Sequence, residues 1–124
     1  MKKIPFNSEN LPGALGPYSH AVICNGLLYS SGQIPLNKDG VIPNSIEEQT
    51  KQVLGNIEQL LIDNNLSLDN VIKTTLFIKD MNDFDKINEI YECFFSSNYP
   101  ARSCVEVARL PKDVLIEIEV VAVI

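Results

Sequence analysis

Arg102 and Cys104 stand two residues apart in Pro100-Ala101-Arg102-Ser103-Cys104-Val105-Glu106-Val107-Ala108-Arg109-Leu110-Pro111-Lys112. Arg102 is one of two arginines set against eight lysines, and its planar fork suits a carboxylate where a lysine ammonium would not. Cys104 becomes a nucleophile only beside a cation or base. His20, the single histidine, is the candidate base, but no third orienting group is visible and nothing places the two together. Glu117 and Glu119 flank Ile118 and supply carboxylates that can orient a water. Asn88 puts an amide one helical turn from both Phe84 and Tyr91, where it needs partners. Tyr18, after Gly16-Pro17, fits a core aromatic or a pocket wall equally well. Ser31-Gly32, at a strand end, fits a bulge or a close approach to another group.

The composition excludes several functions. At 124 residues the chain is read as a single domain, 1–124, with enough apolar residues (45%) to bury a core. A net charge of −6 with no basic cluster argues against nucleic acid and against an anionic membrane surface. Three widely spaced cysteines and one histidine cannot make a zinc set, so neither metal nor cofactor is expected. Free thiols suit a reducing compartment, and Met1-Lys2-Lys3-Ile4-Pro5 lacks the apolar run of a signal peptide, so the expected location is cytoplasmic. Walker, dinucleotide-binding, zincin and nucleophile-elbow motifs are absent.

The elements that position these residues follow from pattern. Ala21-Val22-Ile23-Cys24, Asn25-Gly26 and Leu27-Leu28-Tyr29-Ser30-Ser31 spell a hairpin with a type I′ turn. Ser45 and Glu48 form a capping box, after which Ile46, Val53, Leu54, Ile57, Leu60 and Leu61 make one helical stripe, with Asn64-Asn65 as left-handed stop. Val71 to Lys79 is β-branched and reads as a strand, and Asp80-Met81-Asn82-Asp83 offers a cap for a helix carrying Phe84, Ile87, Tyr91, Phe94 and Phe95. Cys24 and Cys93 fall in apolar patterns and read as packing residues. As a strand, the opening stretch points Arg102, Cys104 and Glu106 one way and Ala101, Ser103 and Val105 the other. That face serves a solvated surface or a polar pocket. Val114 to Val123 begins half polar and ends apolar on both sides, which suits a buried or subunit-contact environment. Its short link to the preceding strand predicts an antiparallel pair that carries Glu117 or Glu119 toward the Arg102 face. The order β-β-α-β-α-β-β gives an α+β domain, a five- or six-stranded sheet with two helices on one face. Its uncovered apolar face predicts an oligomer.

Gly16-Pro17-Tyr18-Ser19-His20-Ala21-Val22, Ser31-Gly32-Gln33-Ile34-Pro35, Asn88-x-x-Tyr91-x-x-Phe94-Phe95, Pro100 to Ala108 and Ile116-Glu117-Ile118-Glu119 together resemble the RidA/YjgF family over nearly the whole chain. The resemblance implies a chorismate-mutase-like fold, a homotrimer with clefts between subunits, and hydrolytic deamination of 2-aminoacrylate, 2-iminopropanoate or 2-iminobutanoate to 2-oxo acids and ammonia. By the same resemblance Arg102 anchors the substrate carboxylate and Glu117 holds the attacking water. The backbone carbonyl of Cys104 accepts from the imine nitrogen, while Tyr18, Ser31, Gly32 and Asn88 line or support the pocket. Some members of the family carry the fold without the deaminase activity, and the alternative reading is a ligand-binding or regulatory trimer that senses 2-oxo acids or related carboxylates in the same cleft. Two departures are His20, where Gln is common, and a short Ser96 to Tyr99 loop.

Overall fold

The computed structural model describes residues 2–124. Its strands are β1 (Ile4–Phe6), β2 (Ala21–Cys24), β3 (Leu27–Ser30), β4 (Val71–Ile78), β5 (Ala101–Glu106) and β6 (Ile116–Val123). Two helices, α1 (Ile46–Ile62) and α2 (Phe84–Phe94), complete an α+β domain. The strands form one mixed sheet in the order β1-β2-β3-β6-β4-β5.

Local chemistry sets most of these boundaries. Asn25 and Gly26 take positive φ (52° and 77°), the geometry a type I′ turn demands. Ser45 accepts the Glu48 N–H at 3.1 Å, a cap worth about 1 kcal/mol. The reciprocal half of the box is missing, because the Glu48 carboxylate turns to Lys51 instead. Asn65, at φ 60°, lies in the left-handed turn that follows α1. Every residue of the predicted α1 stripe is buried, as are Ile87, Tyr91 and Phe95 from α2. They pack on Leu76, Ile78, Ile116, Ile118, Val120 and Ala122, so both helices cover the same face of the sheet. The opposite face is open and leaves Tyr29, Val105 and Val123 exposed.

Three expectations change. β1 is a strand the sequence reading left out; three residues interrupted by Pro5 carry no pattern, and pairing with β2 defines them. β5 does not pair with β6. It lies parallel to β4, with Arg102 opposite Thr74, at the sheet edge. β6 runs antiparallel between β3 and β4. The connection from Val107 to Leu115 is long enough to step over one strand, and α2 is a crossover of the kind that makes β4 and β5 parallel. Cys93 is exposed on α2 rather than packed, whereas Cys24 is half-buried.

Candidate active site

Register decides where the chemistry stands. Thr74 is fully buried beneath the helices, and Arg102, its partner on β5, shares that face. Glu117 pairs with Phe77, three residues along β4, and therefore points to the open face. With β4 between their strands, the two side chains are about 10 Å apart across the sheet, about 10 Å along it, and on opposite sides. Within one chain they do not meet. The expected Arg102–Glu117 pocket on a β5–β6 pair is not present in the monomer.

Arg102 belongs to a cleft of about 310 Å³ lined by Asn88, Tyr91, Glu92, Tyr99 and Pro100. Its Nη1 donates to Asn88 Oδ1 at 2.8 Å. Its Cζ lies 5.3 Å from the centre of the Phe84 ring and 4.9 Å from that of Tyr91. The ion pairs of the described residues are Lys51–Glu48 and Arg109–Asp113, so none of their carboxylates is ion-paired with this guanidinium, although Glu92 lines the same cleft. Cys104 shares the face, one pleat further on. Burial pushes its thiol up, only partly offset by the Arg102 charge, so it stays protonated at neutral pH. Glu106, the other carboxylate on this face, accepts the Met81 N–H at 2.8 Å and is committed to a turn.

Glu117 belongs to a second cleft, of about 380 Å³, with Tyr18, Ser31, Gly32, Ile34 and Pro111 among its walls. The Gly32-Gln33 backbone runs beside β6 in an antiparallel bridge, in which Gln33 and Ile118 exchange N–H to O bonds of 2.8 and 3.0 Å. A Cβ on Gly32 would come within 2.3 Å of Glu117 Oε2, so only glycine lets the carboxylate lie there. Desolvation raises the Glu117 pKa, and the like charge of Glu119 raises it further. Ser31 is held by its hydroxyl, which donates to the Ser19 carbonyl at 2.6 Å, and by its N–H, which donates to that of His20. Tyr18 stands half-exposed at the rim and accepts the Leu15 N–H at 3.3 Å.

His20 is buried and fully engaged. Nδ1 accepts the Ser8 N–H at 3.0 Å, so the ring is neutral with its proton on Nε2, which donates to the Pro12 carbonyl at 2.8 Å. It holds the 8–18 loop against the second cleft and has no part in a thiol–imidazole pair. Cys104 faces the helices and is remote from it. Among the described residues, no group of three His, Cys, Asp or Glu could hold a metal ion.

Two positioning residues escaped the sequence reading. Asn56 donates to the carbonyls of Ile34 and Leu36 at 3.1 and 2.9 Å, pinning the loop that follows Gly32 to α1. Gln49 bridges Pro43 and the start of β6. Asn56 lies on the buried stripe of α1 among Val53, Ile57 and Leu60. Like Asn88, it is a polar amide on an apolar stripe and must find partners there.

Against known proteins, the family model described as Endoribonuclease L-PSP matches residues 8–124. The chain is 48% identical over 120 residues to the 2-iminobutanoate/2-iminopropanoate deaminase of Escherichia coli K12, covering 94% of each. The chain belongs to the RidA/YjgF family. Members carry different names: a relative 54% identical over 113 residues, 90% of each chain, is the putative regulator AldR of Lactococcus lactis. Among solved structures, that of E. coli TdcF with bound serine superposes with a TM-score of 0.93 at 43% identity, covering 98% of both chains. The RidA/YjgF chain described here thus has the fold its sequence implied, and no helix among the described residues is long and apolar enough to cross a membrane.

Proposed function

We propose that this protein hydrolyses short 2-imino acids, 2-iminopropanoate and 2-iminobutanoate, to 2-oxo acids and ammonia. The clefts are completed between copies of the chain in a homotrimer. One observation carries the reading: a guanidinium without an acidic partner and a half-buried carboxylate without a cationic one lie on opposite faces of a single sheet. Each is half of a site for a molecule that bears a carboxylate and reacts with water. A second copy, seated on the open apolar face, brings the halves together.

The chemistry asks little of the protein, since an imine carbon is already electrophilic. Arg102 takes the substrate carboxylate through two of its remaining N–H donors. Glu117, as carboxylate, accepts a proton from water while the water oxygen bonds to C2 and the C=N electron pair moves to nitrogen, and Glu117 then passes that proton to the nitrogen. The resulting carbinolamine collapses: Glu117 takes the hydroxyl proton and delivers it to the nitrogen as the C–N bond breaks, so ammonia leaves, C2 becomes the oxo carbon and Glu117 is again a carboxylate. The Cys104 carbonyl, on the edge strand, accepts from the nitrogen, and the protonated thiol takes no part. Positioning and charge placement supply the acceleration. The deaminase name of a relative 48% identical supports this reading.

A regulatory ligand-binding role is the second reading, favoured by the name of the Lactococcus relative. It needs Arg102 but not Glu117. Ribonuclease activity fits poorly with a charge of −6 and no basic stripe. The deciding assay follows imine decay with the imine made in situ by a pyridoxal-phosphate dehydratase. Turnover lost in Arg102→Ala and in Glu117→Gln supports hydrolysis. Carboxylate binding without turnover in the unmodified protein supports the sensor instead.

A further inference from the structure

Three α2 side chains, Phe84, Asn88 and Tyr91, sit at i, i+4 and i+7 and so form one stripe along the helix. The Arg102 guanidinium lies against all three. Two are ring faces and one is an amide oxygen, so the set orients a cation without neutralising it. A carboxylate in any of these places would compete with an arriving anion; neutral acceptors do not. Of the five N–H donors on Arg102, Asn88 occupies one, and the rest remain for a ligand.

Tyr91 is itself fixed more tightly than a stacking ring requires. It is 5% exposed, and its hydroxyl and the Oγ1 of fully buried Thr74 are 2.9 Å apart in a hydrogen bond. Its ring lies 4.6 Å from that of Phe95, tilted by 32°. Thr74 is the β4 residue directly opposite Arg102. The contacts therefore close a ring: strand pairing joins Arg102 to Thr74, a buried hydrogen bond joins Thr74 to Tyr91, and the aromatic face of Tyr91 returns to Arg102. The hydroxyl locks the tyrosine to the same pair of strands that carries the arginine. Burial also raises the Tyr91 pKa above its ordinary value, so the hydroxyl stays neutral and is engaged with Thr74 rather than available as an acid.

We infer that Tyr91 is a positioning residue for the carboxylate anchor, acting through Arg102 to hold the guanidinium in its binding pose, with Thr74 as the tether that sets the height of the ring. This inference rests on the reading of Arg102 as the anchor of a 2-imino acid or 2-oxo acid carboxylate, and the test separates the two.

The probe is 2-oxobutanoate, a stable carboxylate of the product class, titrated into the assembled protein by calorimetry. The imine assay gives KM and kcat alongside, and the NMR signal of the Arg102 side-chain N–H reports its pose. Replacing Tyr91 by Leu removes a partly buried cation–π contact and its tether, which corresponds to an increase of about 5- to 20-fold in both Kd and KM, with kcat changed far less. The ring-shifted Arg102 signal moves or broadens. Tyr91→Phe keeps the ring and loses the tether, giving a rise of about 2- to 4-fold. Thr74→Val reproduces that rise, and the double variant is no worse than either single one, since one bond is removed in each. These two conservative variants decide the matter if Tyr91→Leu fails to fold. Wild-type Kd, KM and Arg102 signal in Tyr91→Phe and Thr74→Val, or strict additivity between them, would overturn the inference. Arg102→Ala is the control: if it binds 2-oxobutanoate as the wild type does, the anchor reading fails first, and the role of Tyr91 fails with it.

Discussion

The two clefts are built by opposite means. Around Arg102 the work is done by side chains: an amide and two aromatic rings on α2 grip a long, flexible arm from an edge strand. Around Glu117 it is done by backbone: a glycine, a two-bond bridge between Gln33 and Ile118, and a loop tied to α1 by Asn56. In the proposed reaction the cation receives an anion, and the groups in contact with it, Asn88, Phe84 and Tyr91, are neutral and leave its charge available. A carboxylate meant to take a proton is held by desolvation beside a like charge, which makes it more basic. Under the proposed reading each device suits one half of the reaction.

Substitutions can break the comparison, starting with the largest effect. Arg102→Ala removes a bidentate charge-assisted contact and should lower kcat/KM in the coupled imine assay by roughly 10²- to 10⁴-fold, with the oligomer unchanged by size-exclusion chromatography. Gly32→Ala strikes the other half. The new methyl occupies the place of the Glu117 carboxylate, so kcat should fall by about 10- to 100-fold while KM for the imine stays near wild type. If kcat survives, the glycine is not what places Glu117.

Glu119→Gln sharpens the electrostatic half. The Glu117 pKa is raised first by desolvation and then by Glu119, and Glu117 must be ionised to accept a proton. Removing the second charge lowers that pKa, so the acid limb of the kcat profile should move to lower pH. An unmoved or upward-moving limb would contradict the assignment of the base. The smallest effect lies farthest from the chemistry. The Ser8 hydroxyl donates to Asp63, which also accepts from Asn10 and Gln59 at 3.0 and 2.9 Å. Burial works against ionisation of Asp63, but these three hydrogen bonds outweigh it and lower its pKa. A lowered carboxylate pKa contributes stability above its unfolded value and loses it as pH falls through the folded one. Loss of the Ser8 hydrogen bond in Ser8→Ala should cost about 1 kcal/mol at neutral pH by thermal melting. Asp63→Asn should flatten the acid side of the stability profile.

Legibility followed the range of the interactions involved. The Asn25-Gly26 turn, the Ser45 cap, the buried α1 stripe and the Phe84–Asn88–Tyr91 face were readable because each depends on neighbours within a few residues. The place of β6 was not. A short link suggested pairing with β5, but β4 offers a longer apolar partner, and Val107 to Leu115 can reach past it. The same misplacement put Arg102 and Glu117 on one face, when register sets them on two. β1 and the Asn56 tether depend on contacts far apart in sequence, and only the amide on an apolar stripe left a trace of the latter.

The central claim, that Arg102 of one copy works with Glu117 of another, is tested most directly by mixing two inactive chains. Arg102→Ala and Glu117→Gln variants, each with its own tag, are coexpressed in equal amounts and isolated through both tags or as the statistical mixture. With random assembly into trimers, about a quarter of the clefts in the statistical mixture, and about a third of those in trimers isolated through both tags, combine an intact Arg102 with an intact Glu117, so about that fraction of wild-type turnover should return. If both groups of a working site came from one chain, no cleft would be repaired. Activity no higher than that of the separate variants would then contradict the account.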